Sequence, residues 1–239
     1  MIAKVPKFTL FYIHGIPVKI DITVLIVPLI LYGLPAAAGL EPDLAFIVAA
    51  TLGLLFSLLL HELGHALTGR TFGLPVKQVV LGGLIGYAQL GRGQASRGKT
   101  LAILAAGPAT NLLLFLLVWI IHATPPLSQF GKVDFSDSSR WLANSVEFVA
   151  YCNLILFVVN ILPVLPLDGG RILTVLLRYG LPELATAILV AVSGLLTSGA
   201  VVILNPGYGF ILTLFGIWLF WVNLRLLLQI MSTRLRKRA

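Results

Sequence analysis

His61, Glu62 and His65 are the residues of this chain whose types and spacing most clearly allow chemistry, and they lie inside a long apolar stretch. On a helix, side chains four residues apart share a face, so the two imidazoles can bind one metal ion. The carboxylate of Glu62 can act as a general base toward a water molecule that this metal activates. Because ionisable groups are costly within hydrocarbon, the cluster predicts a functional site rather than two structural histidines. The His-Glu-x-x-His pattern therefore indicates a hydrolytic zinc centre.

A catalytic zinc ion usually has three protein ligands, so two histidines leave this site one ligand short. Most other carboxylates lie near segment ends or in connections, and they are Asp21, Glu41, Asp43, Asp134, Asp137, Glu147 and Glu183. Asp168 differs because it lies amid apolar sequence, next to prolines and glycines that break a helix and can turn a carboxylate inward. We predict that Asp168 is the third metal ligand. Capping of the following half-helix is the alternative role for this side chain, and it does not exclude ligation.

The composition is that of a membrane protein. The chain has 239 residues, of which 58% are hydrophobic and 11% charged, and its mean hydropathy is +0.99. A soluble domain would carry about 25% charged residues, so we expect a single polytopic membrane domain over residues 1–239. The net charge of +8 does not indicate nucleic-acid binding, because the positive residues lie at the ends of apolar segments. The lone Cys152 excludes an intrachain disulfide framework.

Hydropathy predicts an all-α membrane fold with about six transmembrane helices. The predicted spans are 22–38, 45–69, 100–122, 143–178, 184–204 and 208–230. The fourth is too long for one straight crossing and contains Pro163 and Pro166, so we predict a broken helix there. All Lys and Arg residues except Lys132 and Arg140 fall on one side of this six-span topology. The positive-inside rule then places both termini in the cytoplasm, and we expect a multi-pass protein of the cell membrane.

The segment 76–90, between the second and third spans, has a different pattern. Its β-branched residues and Tyr87 favour extended structure, whereas Gly82 and Gly83 suit a turn or a close backbone approach. We predict a short strand or hairpin whose free edge could bind an extended peptide by strand addition, with Gly82 and Gly83 in the substrate-binding region. An ordinary amphipathic loop at the membrane interface is the alternative.

With these motifs in place, the chain resembles the site-2 protease family of intramembrane zinc metalloproteases. The resemblance rests on the residues 61–65 and on the residues 160–170, which look like the second motif of that family. It extends to Gly107-Pro108-Ala-Thr-Asn111 in the third span, to the N-terminal residues 15–20, and to the order of the spans. Neither an inserted peptide-binding domain nor a nucleotide-sensing domain is evident, so we expect a minimal core of the family.

The resemblance implies one Zn²⁺ bound by His61, His65 and Asp168, with Glu62 as the catalytic residue. It further implies an endopeptidase that cleaves regulatory membrane proteins in or near their transmembrane helices, and Asn160 as an amide that contacts the substrate. Asn111 is a weaker candidate for stabilising the oxyanion. Hydrogen bonding between membrane helices is the alternative role for both asparagines.

Two other functions use the same kinds of residue. A metal-ion transporter would have polar residues at many membrane depths and paired broken helices, whereas this sequence has one clearly broken helix. A catalytically inactive protein that binds membrane helices would not need Glu62. The expected partners are therefore a membrane-protein substrate and the lipid bilayer, with no nucleic acid.

Overall fold

The computed structural model describes residues 6–37, 41, 43–83, 86–91, 93, 95–121, 141–204 and 210–236. The chain forms two compact units, Met1–Phe157 and Val158–Ala239. Its elements, in chain order, are β1 (Lys7–Ile13), β2 (Ile16–Asp21), a 3-10 segment (Ile22–Leu25), α1 (Ile26–Ala37), α2 (Leu44–Thr71), β3 (Val76–Leu81), β4 (Tyr87–Leu90), α3 (Arg97–Ile121), α4 (Trp141–Ile161), α5 (Asp168–Leu177), α6 (Glu183–Ile203) and α7 (Phe210–Arg236).

Within the described ranges, five helices are long and apolar enough to cross a membrane, namely Leu44–Thr71, Arg97–Ile120, Trp141–Ile161, Glu183–Ile203 and Leu212–Thr233. The predicted all-α membrane fold is confirmed, with five long helices rather than six. Of the first predicted span, 22–38, the structure describes residues 22–37, which form the 3-10 segment and the 12-residue helix α1. At about 1.5 Å per residue, α1 is roughly 18 Å long. The hydrocarbon core of a bilayer is about 30 Å thick, so α1 is too short to cross it alone.

The predicted break in the fourth span is confirmed. Helix α4 ends at Ile161 and α5 begins at Asp168. Pro163 and Pro166 lie in the intervening turn. They have no backbone N–H to donate to a helical hydrogen-bond ladder. The break therefore divides the region 143–178 into a long apolar helix and a short one whose first residue is the predicted ligand.

A four-stranded sheet in the order β1-β2-β3-β4 belongs to the first unit. The predicted hairpin is present as the antiparallel pair β3–β4. The hairpin β1–β2 was not predicted, although its two-residue turn has the positive φ angles of a type I′ turn, 48° at His14 and 79° at Gly15. Strand β2 runs parallel to β3, with Val18 opposite Val79.

The sheet packs against the part of α2 that carries the His-Glu-x-x-His pattern. Leu63 and Ala66 of α2 share a buried apolar cluster with Ile16 and Val18 of β2 and with β3. Leu63 and Ala66 are three residues apart and so lie on one face of α2. Burial of this face fixes the rotation of α2 about its axis, and with it the direction in which the two histidines project.

Candidate metal centre

The two imidazoles of α2 meet at their Nε2 atoms. Nε2 of His61 lies 3.1 Å from Nε2 of His65, and the two ring planes are 83° apart. Both side chains are buried. Two ligand atoms bound at about 2.0–2.1 Å to one tetrahedral zinc ion are roughly 3.3 Å apart, so this spacing fits joint ligation.

The opposite nitrogen of each ring is held by a hydrogen bond. Nδ1 of His65 lies 2.7 Å from the backbone carbonyl oxygen of Ile103 in α3. A carbonyl oxygen only accepts, so Nδ1 of His65 carries the proton and donates it, which leaves the lone pair of the neutral ring on Nε2. Nδ1 of His61 lies 2.5 Å from Oδ1 of Asn111, also in α3. Helix α3 therefore fixes the orientation of both rings through hydrogen bonds to their Nδ1 atoms.

Helix α3 approaches the histidines closely because it has a glycine at the contact. A Cβ atom at Gly107 would lie 2.2 Å from Nε2 of His65 and 2.7 Å from Nε2 of His61. On the other helix, a Cβ atom at Gly64 would lie 2.8 Å from the backbone oxygen of Ala106. Gly107 thus leaves free the space beside both nitrogens that any larger residue would fill. A metal ion fits the donor atoms and this space.

Glu62 lies close to Gly86, the residue directly before β4. Its side chain is 5% exposed. A Cβ atom at Gly86 would lie 2.9 Å from Oε1 of Glu62 and 3.2 Å from a methyl carbon of Leu58. The carboxylate therefore leaves no room for a side chain at Gly86.

The predicted substrate glycines have a packing role in the structure. Gly82 is buried, and the backbone N–H of Gly83 donates to Oγ1 of Thr23 at 2.9 Å. A Cβ atom at Gly83 would lie 1.8 Å from the backbone oxygen of Thr23. Gly83 is therefore required for the hairpin to pack on the 3-10 segment, and any side chain there would displace the hairpin.

Asp168 is the first residue of α5, and the second unit holds the turn before it. Ser193 Oγ donates to the carbonyl oxygen of Pro163 at 3.1 Å, and Asn223 Nδ2 donates to that of Leu165 at 2.8 Å. A Cβ atom at Gly169 would lie 2.3 Å from the backbone oxygen of Ile161, so the turn requires a glycine directly after Asp168.

The cap position of α5 belongs to Leu167, which makes no side-chain capping bond. Asp168 follows it inside the first turn, with Oδ1 at 3.8 Å from Nη1 of Arg171. An acidic residue in the first turn is favoured by the partial positive charge at a helix N-terminus. Asp168 thus occupies the first turn rather than the cap position, where its charge still favours the helix N-terminus.

The three predicted ligands are all buried. The imidazoles of His61 and His65 come together in the first unit, and Asp168 begins α5 in the second unit. Ligation of the metal by Asp168 stays a prediction. Two neutral imidazoles and one carboxylate are a donor set that suits zinc.

The two predicted asparagines have different surroundings. Asn160 is half-buried in the last turn of α4, just before the helix ends. Asn111 is fully buried and bonds to His61 with its oxygen, while its Nδ2 donates to Oδ1 of Asn153 at 2.8 Å. Ser57 also belongs to this network, because its Oγ accepts from Nδ2 of Asn153 at 2.8 Å. It is not among the residues predicted from the sequence. It lies four residues before His61, on the same face of α2, and that spacing is the signal that could have found it.

Comparison with known proteins shows the family to which the chain belongs. A family model described as Peptidase family M50 matches residues 49–204. A putative zinc metalloprotease of Synechocystis is 32% identical over 58% of this chain and 34% of its own length. A zinc metalloprotease of Methanocaldococcus jannaschii is 28% identical over 72% of this chain and 46% of its own length. Stage IV sporulation protein FB of Bacillus subtilis is 31% identical over 56% of this chain and 42% of its own length.

The chain thus spans between a third and a half of the length of these curated relatives. A solved structure, the site-2 protease from Methanocaldococcus jannaschii, is 23% identical with a TM-score of 0.62, and the match covers 93% of this chain and 95% of that one. At that identity the likeness shows a shared fold. The family model covers more than half of the chain, including the residues 61–65 and 160–170 on which the predicted resemblance rests. The chain therefore belongs to Peptidase family M50.

Proposed function

We propose that this protein is an intramembrane zinc endopeptidase that hydrolyses peptide bonds in or near the transmembrane segments of other membrane proteins. The observation that carries the proposal is the buried pair of His61 and His65, whose Nε2 atoms lie 3.1 Å apart, with Glu62 adjacent to His61 on an apolar helix. Membership of Peptidase family M50 and the names of the zinc metalloproteases among its relatives support the same conclusion.

His61, His65 and Asp168 would hold the zinc ion. The facing Nε2 atoms and the side-chain-free space at Gly107 support this assignment. A buried carboxylate also needs nearby positive charge, which a divalent cation supplies. When bound, zinc lowers the pKa of a coordinated water and polarises the carbonyl of the scissile peptide.

Glu62 would move the protons. Its carboxylate takes a proton from the attacking water and later returns a proton to the leaving amine. Burial under the hairpin keeps bulk water away from Glu62, so these transfers occur in a site of low dielectric constant. The amide of Asn160, at the end of α4, would donate to the oxyanion that forms at the scissile carbonyl.

The hairpin β3–β4 would hold the substrate. A helical substrate hides its scissile carbonyl in its own hydrogen-bond ladder, so it must unwind before hydrolysis. Strand β4 is at the edge of the sheet, where an extended peptide can add as a further strand. Gly86 directly precedes β4 and has no room for a side chain beside the carboxylate of Glu62, which supports a substrate strand near the proposed base. Gly82 and Gly83 would act by anchoring the hairpin.

The described residues do not favour the transporter alternative. Their buried ionisable side chains are His61, Glu62, His65 and Asp168. These side chains belong to the proposed centre, whereas a transport path needs polar groups at several depths.

We further propose that residues 1–239 act as one metalloprotease domain in the cell membrane, with both termini in the cytoplasm and a regulatory membrane protein as substrate. The distribution of Lys and Arg supports the orientation. Reporter fusions at each terminus test it. Reporters on opposite sides would mean that the short segment 22–37 does not cross the bilayer.

The activity is tested with the purified chain in lipid vesicles and a panel of tagged single-span membrane helices. New N-termini are identified by mass spectrometry. We expect specific cleavage by the wild type and none by Glu62→Gln at equal zinc content. Identical product patterns from the two proteins would contradict the proposed mechanism.

A further inference from the structure

Four buried polar side chains of the first unit form a continuous hydrogen-bonded chain. Asn111 Oδ1 lies 2.5 Å from Nδ1 of His61, Asn111 Nδ2 donates to Oδ1 of Asn153 at 2.8 Å, and Asn153 Nδ2 donates to Oγ of Ser57 at 2.8 Å. Ser57, Asn111 and Asn153 are each 2% exposed or less. Buried polar groups need such bonds. In this series of hydrogen bonds the donor and the acceptor at each step are also fixed, and this bears on the metal centre.

Ser57, at the end of the series remote from His61, fixes which atom donates and which accepts at each step. Ser57 Oγ donates its only proton to the backbone oxygen of Gly53 at 2.9 Å, so it must accept from Asn153. Asn153 also donates to the backbone oxygen of Val149 at 2.8 Å. Both neighbours require an N–H₂ group there, which turns Oδ1 of Asn153 toward Asn111.

The orientation of Asn153 in turn fixes the orientation of Asn111 and the tautomer of His61. Because Asn153 presents an oxygen, Asn111 must present its N–H₂ group to Asn153 and its Oδ1 to His61. An oxygen acceptor at this position requires that Nδ1 of His61 carry the proton. In the neutral ring the lone pair then lies on Nε2, 3.1 Å from Nε2 of His65.

We propose that Ser57, Asn153 and Asn111 are positioning residues that hold His61 in the one tautomer that can bind a metal ion through Nε2. The proposal rests on the proposed metalloprotease function. His65 obtains the same tautomer from a backbone carbonyl, but His61 depends on side chains from three helices, α2, α3 and α4. This relay of Ser57, Asn153 and Asn111 thus fixes the tautomer of His61 before a metal ion binds. It also gives Asn111 a role different from oxyanion stabilisation.

The first test compares two substitutions of Asn111. Asn111→Leu has similar volume but removes the acceptor, so zinc affinity should fall by about 10–100-fold. Asn111→Asp keeps an acceptor for Nδ1 of His61 and should retain zinc affinity within a few-fold of the wild-type value. A role limited to packing would reverse this order, because a buried carboxylate disturbs an apolar interior more than leucine does.

The second test uses a matched pair of serines. Ser57→Ala removes the terminal acceptor of the relay, whereas Ser145→Ala removes a buried serine that bonds back only to Trp141 of its own helix at 2.6 Å. Zinc affinity should decrease for Ser57→Ala and remain at the wild-type value for Ser145→Ala. Both substitutions remove one oxygen atom from a long helix, so both variants are expected to fold.

Affinity is measured on metal-free purified protein by competition with a chromophoric chelator, and Co²⁺ absorption reports the coordination of the bound metal. Equal zinc affinities for Asn111→Leu and the wild type, or equal losses for the two serine variants, would overturn the relay. A wild-type chain without zinc affinity would instead contradict the metal centre itself. The two failures are therefore distinguishable, and neither readout requires a substrate.

Discussion

At the scale of single residues, the metal centre depends as much on missing side chains as on ligands. Gly107 in α3 and Gly64 in α2 let the two helices approach closely, and Gly107 also leaves space beside both Nε2 atoms. The spacing of the two histidines predicts ligation from the sequence alone. The sequence does not reveal that Gly107 and Asn111 of the Gly107-Pro108-Ala-Thr-Asn111 motif lie against the two imidazoles.

Substitution of Gly107 by alanine should abolish metal binding. The new methyl group would lie 2.2 Å from Nε2 of His65 and would force the helices or the rings apart, at a cost of about 1–3 kcal/mol in the free energy of unfolding. Gly98→Ala in the same helix is the control, since a Cβ atom there meets nothing within 4 Å. Metal analysis of both purified variants checks this, and full zinc content in Gly107→Ala would contradict the geometry described.

At the scale of elements, the hairpin β3–β4 brings backbone close to Glu62, and a break in the helical region precedes Asp168. The break before Asp168 and the hairpin β3–β4 were predictable because prolines, glycines and β-branched residues act locally. The pairing of β2 with β3 was not, since it joins segments about 60 residues apart and no local periodicity encodes it. The hydrogen bond between Ser57 and Asn153 spans 96 residues of sequence and was missed for the same reason.

The hairpin should control activity without controlling metal content. Gly86→Ala would place a methyl group 2.9 Å from Oε1 of Glu62, so the carboxylate must shift away from its position. We expect the rate of cleavage to fall by roughly tenfold or more, comparable with disturbing a general base, at unchanged zinc content. Gly199→Ala is the control, because its Cβ atom would have no neighbour within 4 Å. Unchanged cleavage by Gly86→Ala would contradict a role of the hairpin in positioning the carboxylate of Glu62.

The turn before α5 should be sensitive to a residue distant in sequence. Asn223→Ala removes the donor to the carbonyl oxygen of Leu165, and an unpaired buried carbonyl costs about 1–3 kcal/mol. We expect a lower melting temperature and weaker zinc binding, because Asp168 follows this turn. Ser198→Ala is the control, since Ser198 bonds only to the backbone of its own helix. Zinc affinity equal to that of the control would show that the turn does not orient Asp168.

At the scale of the whole molecule, the described residues of both units expose large apolar side chains and bury a few polar ones. Large apolar side chains are exposed along the long helices, as at Leu113, Leu196 and Ile203. In a bilayer these side chains contact lipid, so packing and hydrogen bonds rather than the hydrophobic effect must hold the helices together. Composition was sufficient to predict this architecture, whereas the shortness of α1 depended on a 3-10 segment that hydropathy does not reveal.

Metal removal should therefore destabilise the folded protein as a whole. A ligand at about 100 times its Kd stabilises the native state by about 2.7 kcal/mol, so a chelator should lower the melting temperature of the wild type. Glu62→Gln keeps all three ligands and should show the same decrease. Asp168→Asn should melt at the lower temperature with or without chelator. An equal response of all three proteins would mean that the metal is bound elsewhere.

X-ray absorption of the zinc-loaded chain tests the central claim most directly, because it counts the ligands of the metal itself. We expect one zinc per chain, with two imidazole nitrogens and at least one oxygen at about 2.0–2.2 Å. In His61→Ala the spectrum should lose one imidazole, and Asp168→Asn should lower the zinc stoichiometry of the purified protein. A wild-type spectrum without two imidazoles, or unchanged spectra and stoichiometry in both variants, would contradict it.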